Sequence, residues 1–327
     1  MRPVLVAPDS FKGTFGAAEV AAAIAAGMRR AGLEAEACPL ADGGEGTLDV
    51  AGVAVGAELR DARVEGPLGD AVDAGFAVWD GGRSALVESA QAAGLGLVAP
   101  DRRDPERAST RGVGELIMGA VTAGACEVLV GVGGTATTDG GRGAVDVVET
   151  GGGLGGAKLT VLCDVRTPFE DAARVFGPQK GANAAAVERL GARLASLAAA
   201  YPRDPRGLPG GGAGGGLAGG LWAALGADVV PGAERIADLV GLDERLGDAS
   251  SVVVGEGRLD AQTSEGKVIA EVCRRARPLG LRVDAIVGRS ELSEGDAAGL
   301  GLSTVREASS LDALEGAAEL LGRELGR

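Results

Sequence analysis

One stretch near the N-terminus decides the fold: VLVAPDSFKGTFGAAEVAAAIAAGMRRAGLEAEACPL, from Val4 to Leu40. Its first four residues are apolar and run straight into a turn sequence, so 4–7 reads as a short buried parallel strand. Ala17–Arg30 follows with helical spacing and places Val20, Ile24 and Met28 on one face. Arg29 and Arg30 suit the negative end of that helix, and Gly32 suits the position just past it. Residues 34–40 read as a second strand. A β-α-β opening predicts a parallel sheet covered by helices.

The same alternation returns after Ser251. Strands are expected at 252–254, Val283–Val287 and 302–305, with helices at roughly 264–277, 293–299 and Leu311–Leu325. Between the two ends the pattern changes. Segments 58–64, 72–79 and 84–87 are short, alternating and separated by glycine-containing turns, which reads as antiparallel strands. A helix at 111–123, strands at 127–132 and 158–163, and an alanine-rich helix at Ala184–Ala200 follow. The glycine run 210–220 reads as compositional bias or loop leading into a helix with Leu221, Trp222 and Leu225. The fold class is therefore α/β with two domains. Residues 1–56 plus 249–327 form a discontinuous parallel-sheet domain, and 57–248 form an inserted mixed α/β domain.

Composition narrows the chemistry. None of the 327 residues is histidine, which removes Ser-His-Asp triads, Cys-His pairs and His-ligated zinc. Formal charge is −14, and only eight residues are aromatic. Both argue against nucleic acid or an anionic membrane as a partner. No apolar run approaches the ~20 residues that span a bilayer, and the opening residues lack a signal-peptide core. Cys38, Cys126, Cys163 and Cys273 form no C-x-x-C pair, which fits reduced thiols in a cytoplasmic protein. Only four of the 32 basic side chains are lysine, and Lys12, Lys180 and Lys267 each adjoin a glycine. A compact ammonium beside flexible backbone suits phosphate.

Five segments collect small and polar residues where strands end, the place where open α/β sheets bind ligands. Asp9, Ser10 and Lys12 follow the first strand. Asp42, Gly43, Gly44 and Glu45 follow the second. Gly133, Gly134, Thr135, Thr137 and Asp139 follow the 127–132 strand and have the composition of an anion nest. Asp164 ends another strand, with Arg166 and Lys180 downstream. Glu256, Arg258 and Asp260 end the 252–254 strand, and Thr263–Lys267 opens the next helix, whose N–H groups suit a phosphate. A G-x-G-x-x-G match at Gly214–Gly219 lacks a preceding strand, and Gly266-Lys267 fails as a Walker A lysine.

Taken together, Pro8–Thr14, Asp42–Thr47, Gly133–Gly141 and Gly255–Lys267 resemble the type-1 glycerate kinase family, in the expected order and over nearly the whole chain. The resemblance implies transfer of the γ-phosphoryl group of ATP to D-glycerate, giving 2- or 3-phosphoglycerate. It also implies two α/β domains, one flavodoxin-like, with the active site in the cleft between them. Residues 142–157 are shorter here than the family usually has. Gly133, Gly134, Thr135, Thr137 and Asp139 are expected to bind ATP, and Glu256, with Asp164 of the 163–168 segment, to hold Mg²⁺. Lys12 and Lys267 neutralise the transferring group. Arg258 and Ser10, with Asp9 and Glu45 nearby, take glycerate, while Asp42 or Asp260 orients or deprotonates its hydroxyl. A homodimer is a further expectation. The alternatives are a kinase of another small hydroxy or sugar acid, and a nucleotide-binding oxidoreductase.

Overall fold

The computed structural model describes residues 2–260 and 267–326. Strands β1 (Val4–Val6) and β2 (Ala35–Ala37) open the chain. β3 (Glu58–Glu65), β4 (Ala71–Trp79), β5 (Ser84–Glu88), β6 (Glu127–Gly131), β7 (Lys158–Leu162) and β8 (Asp228–Val230) follow. β9 (Ser251–Val254), β10 (Arg258–Leu259), β11 (Val283–Val287), β12 (Arg289–Ser290) and β13 (Thr304–Glu307) complete the strands.

The chain divides into two compact units. Unit 1 comprises Met1–Asp42, Asp49–Ala54 and Ala233–Arg327, and unit 2 comprises Gly43–Leu48 and Val55–Gly232. This moves two long segments, and the pair 55–56, relative to the sequence boundaries. Residues 43–48 join unit 2, where the buried Glu88 carboxylate accepts the N–H groups of Gly46 (3.1 Å) and Leu48 (3.0 Å). Residues 233–248 join unit 1, where buried Arg275 pairs with Asp238 (2.8 Å) and Asp243 (3.3 Å) and donates to the carbonyl of Glu234 (3.0 Å).

Unit 1 holds a five-stranded sheet in the order β13-β11-β9-β1-β2, and every pairing is parallel. Counting these five in chain order gives 2-1-3-4-5. The helix Ala17–Arg30 buries Val20, Ile24 and Met28 against Leu314, Ala318 and Leu321 of the helix Leu311–Leu325. Each such side chain contributes about 1.5–3 kcal/mol on burial. The helices meet at Gly27, where any side chain would overlap the carbonyl of Glu315.

Unit 2 holds a six-stranded mixed sheet in chain order, β3 to β8. β3, β4 and β5 pair antiparallel, as the alternating pattern predicts, and β5 through β8 pair parallel. Among the elements that carried no usable sequence signal are five: Thr47–Ala54, Arg142–Thr150, Gly232–Leu239, Leu242–Asp248 and β8. All five are nine residues or shorter, too brief for periodicity to stand out.

The glycine run is a correction. The helix Ala213–Leu225 begins inside it, with Gly214, Gly215 and Gly216 in left-handed conformation. Gly215–Gly220 is buried, and a side chain at Gly215 or Gly220 would overlap the carbonyls of Thr137 or Gly140. The run is the close-packed bed beneath the Thr137–Gly140 turn. The expected 264–277 helix is present as Val268–Ala276, and residues 261–266 lie outside the described residues. No helix among the described residues is long and apolar enough to cross a membrane.

Candidate active site

In unit 1 a cavity of about 450 Å³ opens at the carboxyl ends of four neighbouring strands. Asp9, Ser10 and Lys12 reach it from the turn after β1, and Glu256, Arg258 and Asp260 from the segment after β9. Gly288 and Arg289 follow β11, Ser309 follows β13, and Lys267 completes the lining. Connections leave β1 toward β2 on one side and β9 toward β11 on the other. The cavity therefore lies where the strand order reverses, the position at which open α/β sheets leave a crevice.

The turn after β1 is held firmly. The N–H of Asp9 donates to the carbonyl of Gly255 (2.8 Å), tying the β1 and β9 ends together. Phe11 is buried in the core and exchanges two backbone hydrogen bonds with Phe15, while Gly13 takes φ +78°. This tight loop presents Lys12 at its tip. The Lys12 ammonium meets the Asp42 carboxylate at 2.7 Å, joining the turns after β1 and β2.

Asp9 is only 5% exposed. Its Oδ1 accepts the N–H of Ser10 at 2.6 Å, and no other side-chain hydrogen bond to it occurs among the described residues. Burial first, then the carboxylates of Asp42 and Glu256, push its pKa up to about 7, against the pull of Lys12 and the Ser10 N–H. Desolvation opposes the Lys12 charge, but Asp42, Asp9 and Glu256 outweigh it and hold Lys12 above the ordinary lysine value. Arg258 pairs with Glu291 (2.6 Å) and more loosely with Asp260 (3.5 Å).

The other expected residues, Glu45, Gly133, Gly134, Thr135, Thr137, Asp139 and Asp164, belong to unit 2. There the turns after β2 and β6 interlock. The Gly133 N–H donates to the carbonyl of Gly43 (3.4 Å), and a Cβ on Gly133 would lie 2.5 Å from the Cα of Gly44. Asp139 is 1% exposed, and its oxygens accept from the Thr110 N–H and hydroxyl and the N–H groups of Gly141 and Gly143. Its carboxylate fastens two helix starts. The Thr137 hydroxyl donates to the Gly214 carbonyl (3.3 Å), and Asp164 accepts the Gly232 N–H (2.7 Å).

Three participants have no counterpart among the expected residues. Arg289 and Ser309 line the cavity, and the rule applied to the other strands, small and polar residues just past a strand, would have found Gly288-Arg289 and Ser309. Glu88 holds its loop by hydrogen bonds across 40 residues, for which no local signal exists.

Among the described residues no group of three or more Cys, Asp and Glu is placed to hold a metal ion. Asp164 and Glu256 fall in separate units, each offering one carboxylate.

The model of the "Glycerate kinase family" matches residues 4–151 and 144–324, in two pieces that overlap at 144–151. A glycerate 2-kinase of Escherichia coli K12 is 37% identical over 322 residues, covering 87% of this chain and 84% of that protein. A glycerate kinase of Halalkalibacterium halodurans is 38% identical, covering 88% and 86%. The crystal structure of a candidate glycerate kinase 2 from Salmonella typhimurium LT2 superposes with a TM-score of 0.84 at 34% identity, covering 99% of this chain and 98% of that one. With its strand-end loops and with relatives aligned along most of its length, the chain belongs to the glycerate kinase family.

Proposed function

We propose that this protein transfers the γ-phosphoryl group of ATP to D-glycerate and yields 2-phosphoglycerate. The observation that carries the reading is the unit 1 cavity, in which Lys12, Arg258, Lys267 and Arg289 stand among the carboxylates of Asp9, Glu256 and Asp260. Cations suit a carboxylate substrate and a migrating phosphoryl group, and carboxylates suit its hydroxyls. The 2-hydroxyl is favoured because the E. coli relative is a glycerate 2-kinase.

Arg258, with the Ser10 hydroxyl, takes the glycerate carboxylate. Lys12 and Lys267 neutralise charge on the transferring group. Asp9 is the best-matched proton acceptor. It is buried in the cavity with one oxygen anchored and, among the described residues, the other uncommitted, and its pKa near 7 suits a base working at neutral pH. Asp42 then holds Lys12 in place, and Asp260 steers Arg258. The Gly133–Thr137 loop cradles ATP phosphates, with Asp139 fixing the loop. Glu256 and Asp164 each offer a carboxylate to Mg²⁺, which when bound draws charge off the phosphates. A flavodoxin-like description of unit 1 is supported by its 2-1-3-4-5 strand order. A cytoplasmic setting is supported by four cysteines that form no disulfide among the described residues, two of them buried.

The deciding experiment follows ATP consumption with D-glycerate, with and without Mg²⁺, and identifies the product by ³¹P and ¹H NMR. Glycerate-dependent ADP and 2-phosphoglycerate are expected. No glycerate-dependent turnover sinks the activity, and 3-phosphoglycerate sinks the regiochemistry.

A further inference from the structure

Lys180 is a buried cation for which the mechanism above has no use. It ends the turn Pro178–Lys180 and is 3% exposed. Its ammonium donates to the Thr137 carbonyl (2.5 Å) and to the Thr135 hydroxyl (3.2 Å), so it grips the Gly133–Thr138 loop from within. Among the described residues no carboxylate stands at ion-pair distance from it. The charge that acts on it is Asp139, whose oxygens are already filled by four donors. On the same loop the Thr138 hydroxyl oxygen is buried with no hydrogen-bond partner among the described residues. Gly133 is half-buried and Gly134 exposed, so the loop backbone is reachable from solvent there.

A buried ammonium lacking a counter-charge either finds one or gives up its proton. Burial pushes Lys180 down to about 7, against the pull of Asp139. The other charged groups near this loop are Arg103, beside Gly181, and Glu45, beside Gly134. Neither supplies the missing negative charge: Glu45 is exposed, and Arg103 is itself a cation, donating to the Gln179 carbonyl (3.4 Å).

We propose that the missing counter-charge is a phosphoryl oxygen of the nucleotide seated on the Gly133–Thr135 backbone, and that Lys180 is the positioning residue whose protonation is coupled to that anion's arrival. Lys180 does not touch the ligand. It braces Thr135 and Thr137 beneath the loop and places one positive charge under the anion. The step is a simple protonation: the neutral amine takes a proton from solvent as the anion binds, and no other bond changes. The inference rests on the reading of this loop as the ATP cradle.

The test is calorimetric titration of the full chain with ATP, without glycerate, at pH 8 in two buffers of different ionisation enthalpy. Uptake of more than half a proton per ATP is expected for the wild type. Lys180→Met should abolish the uptake and weaken ATP binding at least tenfold. A wild type that binds ATP without proton uptake overturns the proposal, and this measurement needs no variant. Equal uptake by a folded Lys180→Met variant overturns it as well. A wild type that takes up the proton but does not phosphorylate glycerate leaves Lys180 standing and removes the kinase reading. Glycerate turnover without uptake does the reverse.

Discussion

Asp9 shows how a single side chain can be kept at a cost. Its pKa is displaced from the ordinary aspartate value to about 7 by burial and by two neighbouring carboxylates. The folded state therefore holds the proton more tightly than the unfolded chain does, and stability drains away as pH rises from about 4 toward 7. At pH 8 the whole penalty is present, at most about 4 kcal/mol. Asp9→Asn keeps the Ser10 hydrogen bond and removes the charge. It should raise the melting temperature at pH 8, with a smaller gain at pH 5, while lowering kcat by about 10²-fold or more. A variant less stable than wild type at pH 8 would refute the buried-charge account. Lys12→Ala should cost ~3 kcal/mol in the transition state, on the order of 10²-fold in kcat/KM. Wild-type kinetics in a folded Lys12→Ala protein would remove Lys12 from the mechanism. Both residues were legible because one short loop after a strand carries Asp, Ser and a rare Lys together. Glu88 and the Lys180 contacts were not, since each depends on a hydrogen bond to a residue 40 or more positions away.

Among the elements, the helix starts near Asp139 illustrate how one buried carboxylate can hold two elements at once. One carboxylate serves the chain at Thr110, Gly141 and Gly143 and stands in the loop expected to meet ATP. Asp139→Ala leaves several buried donors without an acceptor, each worth about 1–3 kcal/mol. Urea unfolding should show a loss of ~3 kcal/mol or more, and a loss under 1 kcal/mol would show that the network carries little. Sequence patterning located the five strands of the parallel sheet because β1, β9 and β11 are short, mostly apolar runs, and because β2 and β13, which are not, complete the alternation of strand and helix at each end. It left out the helices Gly232–Leu239 and Leu242–Asp248, which are too short for periodicity and are drawn to unit 1 by Arg275. It also took the 210–220 glycines for filler. Composition alone gives the same reading for a floppy loop and for a backbone packed too closely to admit a side chain.

For the whole molecule, a formal charge of −14 coexists with a cavity holding four cationic side chains. Net charge constrains non-specific partners, while the local field decides the substrate. The proposed metal requirement belongs to the complete protein with its nucleotide. Asp164→Asn should raise the Mg²⁺ concentration needed for half-maximal turnover several-fold at fixed ATP, and an unchanged magnesium titration would release Asp164 from metal binding. The reaction class was legible because several modest motifs occur in one order along the chain. The exact unit boundaries were not, because they follow from side chains such as Glu88 and Arg275 that bind segments distant in sequence.

The glycine contacts between the turns after β2 and β6 have a consequence for how this protein can change. A Cβ on Gly131 would lie 2.6 Å from the Gly43 carbonyl oxygen, and one on Gly133 would lie 2.5 Å from the Gly44 Cα. Neither turn has a side chain at these contacts that could shrink to make room for the other. No compensating substitution is therefore available at the contact itself, and paired replacements should be at least as damaging as single ones. Specificity engineering must leave both turns untouched as one block and draw its diversity from positions with space around them.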